Sequence, residues 1–151
     1  MKRSKRLKPV LELAESREKQ MALILGESRR KLESAQRNLS SLIAFRDNYS
    51  AQFQRSGSEG LGMRQLIEYR TFLAKINTAI ADQEKAVNAV QAELQSRQAE
   101  WDAVRQRTLG IKKVLEHTLT EESRLEEKKQ QAEQDERASR RSNSGILTVF
   151  I

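Results

Sequence analysis

The chain has 151 residues, 32% of them charged, with 5% aromatics, one proline, no cysteine and a formal net charge of +7. The missing cysteines exclude a disulfide framework and any thiolate metal site, and no run of about 18 apolar residues offers a membrane span. Leu, Ala, Glu, Gln, Lys and Arg prevail, which are strong helix formers without breakers.

The N-terminus is basic, with Lys2, Arg3, Lys5, Arg6 and Lys8 among its first eight residues. No apolar signal region develops after Pro9, so a cytoplasmic protein is expected. A first heptad run follows: Leu11, Ala14, Glu18, Met21, Leu25, Ser28, Leu32, Ala35, Leu39, Leu42, Arg46, Tyr49 and Phe53 keep an unbroken 3,4 spacing. It predicts a helix over about 7–55. The stretch 56–62 then breaks the pattern with three of the six glycines, Gly57, Gly60 and Gly62. After it the spacing restarts at Leu66, Tyr69, Leu73, Ile76 and Ile80 and continues through Gln83, Val87, Val90, Leu94, Arg97, Trp101, Val104, Thr108, Ile111, Leu115, Thr118, Glu122 and Leu125. This predicts a second helix over about 63–140. Two apolar seams on one chain bury each other most readily by folding back. The expected fold is all-α, a long antiparallel two-helix coiled-coil hairpin over 1–141 with a flexible hydrophobic tail at 142–151.

Length adds an asymmetry. At 1.5 Å per residue the first helix spans about 70 Å and the second about 115 Å, so the second overhangs. A turn centred near Gly57 and Ser58 pairs seam residues whose numbers add to about 115, such as Leu42 with Leu73, and leaves everything past Thr108 without a partner. Gly110 is a candidate kink. Beyond Arg141 the Ser-Asn-Ser-Gly stretch is expected to end the helix, and 146–151 have the composition of an edge strand or sticky tail.

Little in the chain points to catalysis. His117, the single histidine, sits in a helical stretch near Glu116 and Glu121, no GxxxxGK loop is present, and acid pairs such as Glu121 with Glu122 and Glu126 with Glu127 lie on solvated helix. No enzyme activity, cofactor or metal site is expected. The basic balance is compatible with nucleic acid, an anionic membrane or an acidic protein. No nucleic-acid-binding motif accompanies it, and no aromatics interleave the basic run, so nucleic acid is not an expected partner. The sharper feature is aromatic. The register brings Phe45 and Phe72 side by side just outside the seam and near the turn, with Ile43, Ile67 and Tyr69 close by. Such a patch is either a docking site or a pair of rings folded over the seam to widen it.

The segments Leu42-Ile43-Ala44-Phe45-Arg46-Asp47-Asn48-Tyr49 and Ile67-Glu68-Tyr69-Arg70-Thr71-Phe72-Leu73-Ala74-Lys75-Ile76, flanking a glycine-containing turn, resemble the flagellar type III export stalk proteins of the FliJ family. The similarity continues through Gln83 and Trp101 to Gln134-Asp135-Glu136 and covers about Leu7 to Arg141. The resemblance implies a non-catalytic adaptor or central stalk. Its end bearing both termini enters the ring of the flagellar export ATPase, its other end reaches the cytoplasmic domain of the export gate, and it escorts export chaperones. It would thus be peripherally associated with the inner face of the membrane. The gate-facing residues implied are Asn38, Leu42, Phe45 and Tyr49 on the first helix and Phe72, Ile76, Ala79 and Gln83 on the second. Lys5, Arg6, Lys8, Asp135 and Glu136 are the candidates for the ATPase ring. The alternatives are the equivalent stalk of a virulence-type injectisome, or a basic coiled coil that binds nucleic acid or a membrane surface.

Overall fold

A computed structural model describes residues 2–57, 60 and 62–150, the last six of these as backbone only. Two helices make up the fold, α1 (Arg3–Gly57) and α2 (Met63–Phe150), packed against each other as an all-α hairpin, and no strand occurs among the described residues. Ser58, Glu59 and Leu61 of the predicted break lie outside the described residues. Gly60 adopts a φ of 88°, a conformation that costs glycine nothing, and its N–H reaches the Gly57 carbonyl at 3.3 Å. The start of α2 is then capped from within: Gln65 reaches back to accept the Gly62 N–H at 3.1 Å.

Contacts divide the chain into two compact units, Arg17–Val104 and the combination of Met1–Ser16 with Arg105–Ile151. In the first, Leu25, Ala35, Ile76 and Ile80 form the buried apolar seam, with Ser28 only 2% exposed among them. Two polar members of the heptad pattern have partners here. Gln83 donates to the Ala35 carbonyl at 3.1 Å, and Arg46 donates to Asn77 at 3.4 Å and to Asp47 at 3.2 Å. Phe53 stacks on Tyr69, a pair whose numbers add to about 122. In the second unit the same rule holds: Thr108, 1% exposed, donates its hydroxyl to the Ala14 carbonyl at 3.4 Å.

The pairing therefore differs from the expected one by a full heptad. Leu42 faces the level of Ile80, not Leu73, because α1 stays helical through Gly57 and moves the reversal toward Gly60. A longer α1 at the other end has a second effect. It begins at Arg3 rather than Leu7; with the shifted register Leu115 is buried at the level of Leu7, and the added turn buries Thr118 and lets Glu122 bond to Ser4, where the sequence reading leaves everything past Thr108 unpaired. Exposure on every face starts only after Glu122 and runs to residue 144.

Gly110 does not break α2. A β-carbon built there meets nothing within 4 Å, and its φ is not positive, so glycine brings only its entropic cost. Gly110→Ala is expected to stabilise the protein by about 0.5–1 kcal/mol. A thermal midpoint that falls would show that the helix needs glycine's freedom at this point. α2 also passes Arg141 in helical backbone and reaches Phe150, where the sequence predicts a helix end followed by an edge strand or sticky tail. No proline interrupts this stretch, and β-branched or aromatic residues cost a helix only a few tenths of a kcal/mol each.

Candidate functional site

Five of the chain's aromatic side chains converge beside the turn, although Tyr49, Phe53 and Tyr69 belong to the seam while Phe45 and Phe72 flank it. The helical spacing explains this: Phe45, Tyr49 and Phe53 follow at four-residue intervals on α1 and share a face. Tyr69 and Phe72, three apart on α2, meet them. Phe53 and Tyr69 stack with centroids 3.8 Å apart and planes 6° from parallel, and Tyr49 stacks on Tyr69 at 5.7 Å. Phe72 lies 4.2 Å from Tyr49 and takes Phe45 edge-on at 5.8 Å. The Tyr69 hydroxyl donates to Ser50 Oγ at 3.0 Å, so its polar end is satisfied within the cluster.

Exposure separates the two flanking rings. Phe72 is half-buried over Tyr49, whereas Phe45 is 55% exposed. Of the two readings of this patch, the seam-widening one describes Phe72 and the exposed one describes Phe45. Ile67, 57% exposed, and Met63, 72% exposed, add apolar surface near the same end of α2. The nearest concavity is a shallow groove lined by Tyr49, Gln52, Phe53, Ser56, Gln65 and Glu68. It is open to solvent and flanked by side chains suited to contact rather than to enclosing a small molecule.

The eight gate-facing candidates fall into four cross-helix levels along one edge of the pair: Tyr49 with Phe72, Phe45 with Ile76, Leu42 with Ala79, and Asn38 with Gln83. Tyr49 and Phe72 are in direct contact. Asn38 is exposed, Leu42, Ala79 and Gln83 are half-buried, and Ile76 is 8% exposed in the seam. The structure thus brings them to one edge, but of the eight only Asn38 and Phe45 are exposed.

The five candidates for the ATPase ring are not brought together. Lys5, Arg6 and Lys8 are exposed on the first turns of α1, close to the level of Glu122. Asp135 and Glu136 lie about 20 Å farther along α2, where Glu136 pairs with Arg140 at 2.6 Å. His117 is exposed, and among the described residues no three His, Asp or Glu side chains are placed to hold a metal ion.

One arrangement is missed by the sequence reading altogether. Glu122 accepts the Ser4 hydroxyl at 2.7 Å and the Ser4 N–H at 3.1 Å, and Ser4 is 5% exposed. An acidic residue at a seam position was the available signal, since it demands a donor on the facing helix. The Ser4 side chain and backbone bonds, with Lys2 and Lys8 nearby, hold the Glu122 carboxyl below the usual glutamate range. Because the folded value is depressed, this contact is fully present above the ordinary value of about 4.3 and is lost as pH falls through the folded one. Carbon-detected titration is expected to give Glu122 a midpoint below about 4.3. A midpoint at or above that value would show that the contact does not persist in solution.

The Flagellar FliJ protein family model matches residues 3–145, which includes the whole aromatic cluster and both helices up to residue 145. No curated protein and no solved structure matches the chain. An all-α hairpin, an aromatic face beside its turn, and a family match over nearly the full length agree with one another, and the chain belongs to the flagellar FliJ protein family, non-enzymatic components of the flagellar export apparatus.

Proposed function

We propose that the protein is an adaptor and central stalk of this apparatus, docking on the export gate through the aromatic edge beside its turn and on the export ATPase through the unit that carries the start of α1 and the later part of α2. The observation that carries the reading is Phe45, a large apolar ring 55% exposed on a pre-organised aromatic cluster. A rigid platform binds with little ordering cost, and an exposed aromatic at its margin, held edge-on by Phe72, has the character of an anchor that a partner's pocket would desolvate. Asn38, Leu42, Tyr49, Phe72, Ile76, Ala79 and Gln83 line the same edge. Lys5, Arg6 and Lys8, with Asp135 and Glu136, would meet the ATPase ring. Escort of empty export chaperones and peripheral association with the membrane through the apparatus belong to the same role.

The test uses the full chain with purified gate cytoplasmic domain and purified export ATPase. Replacing Lys5, Arg6 and Lys8 by glutamine, or ending the chain after Ser123, should remove stimulation of ATP hydrolysis and leave gate binding intact. Unchanged stimulation in both variants would overturn the assignment of that end. Binding of the gate should also persist from low to physiological salt. A steep fall would instead indicate an electrostatic contact, as with phosphates.

A further inference from the structure

The first turns of α1 keep the seam, with Ser4 buried and Leu7 half-buried, but combine several features that oppose a helix. The first turn contains no acidic residue, while Arg3, Lys5, Arg6 and Lys8 place four cations against the positive end of the helix macrodipole. Pro9 lies inside the helix and lacks the N–H that would bond the Lys5 carbonyl, so the ladder is interrupted just after these residues. Apart from Leu7, which is half-buried, the segment presents exposed side chains, with Ser4 as the exception. Ser4 is buried because the Glu122 carboxylate takes both its N–H and its hydroxyl, satisfying one of the N–H groups that a helix start leaves without a partner. The cap comes from the other helix. Beyond Glu122, α2 is exposed on all sides up to residue 144, so among the described side chains this is the last contact that closes the pair.

We infer that residues 3–8 form a releasable cationic arm, hinged at Pro9 and held on α2 by the clasp between Ser4 and Glu122. With the clasp closed, the arm is helical and its cations project at fixed positions. With it open, cation repulsion and the missing hydrogen bond at Pro9 favour an unwound segment, while the seam from Leu11 onward stays paired. The inference rests on the fold alone and does not depend on which partner meets this end.

Site-resolved amide hydrogen exchange on the full-length protein tests it. In Glu122→Ala, protection at Ser4, Leu7, Lys8 and Val10 is expected to fall tenfold or more, with no change at residues 66–90. In Pro9→Ala, where the missing donor is restored, protection at the same amides is expected to rise. Unchanged exchange in Glu122→Ala would overturn the clasp, as would an equal loss of protection at 66–90, which would mark Glu122 as a contributor to general stability only. Protection that does not rise in Pro9→Ala would overturn the hinge. Circular dichroism on both variants confirms that each remains folded, so an altered exchange pattern is read on an intact hairpin.

Discussion

Phe45→Ala is expected to weaken binding of the export-gate cytoplasmic domain by about 30-fold or more while the thermal midpoint falls by only about 2–4 °C. An exposed aromatic that becomes buried only in a complex contributes its area there, and such anchors are often worth about 2 kcal/mol or more on truncation. In the free protein the ring loses mainly its edge-on contact with Phe72, a matter of about 1 kcal/mol. Motility should fall in parallel. Isothermal titration of the variant separates the outcomes: an affinity within twofold of the unaltered protein would remove Phe45 from the interface.

Ile76→Ala gives the opposite pattern. Ile76 is 8% exposed, and its truncation leaves a cavity in a seam that has few large residues to lose. The expected cost is about 2–4 kcal/mol in stability, measured by urea or thermal unfolding. Gate binding by the folded fraction should be retained near its original affinity. If binding is lost without a fall in stability, then Ile76 acts as a contact residue despite its burial. The two variants together distinguish an anchor from a support among residues that share one edge.

Fold class was legible because the 3,4 spacing states it directly, and the meeting of Phe45 with Phe72 was legible because both positions flank the seam near the turn. Register was harder. A seven-residue repeat superimposes on itself when one helix slides by seven, so the apolar pattern alone fits Leu42 beside Leu73 as well as beside Ile80. What lifts that degeneracy is specific and sparse. Ala14 must offer its carbonyl to Thr108, Phe53 must find Tyr69, and Ser4 must find Glu122. These partners are visible in the sequence only once the polar seam residues are required to satisfy one another. The unequal exposure of Phe45 and Phe72 was not legible, since both occupy equivalent heptad positions. Their difference arises from the neighbouring ring of Tyr49, which covers Phe72.

The exposed length of α2 from residue 123 to 144 has a thermodynamic character of its own. With no packing against another helix, it depends on propensity and on close pairs such as Arg124 with Glu121 and Arg140 with Glu136. Without packing, most of the stability a helix normally gains from tertiary contacts is absent, and solvated pairs add about 0.2–0.5 kcal/mol each. Its helicity is therefore a sensitive gauge of temperature and ionic strength, rising in the cold and at low salt. Any molecule that grips this stretch must supply the ordering free energy, and its arrival would be registered as added ellipticity at 222 nm.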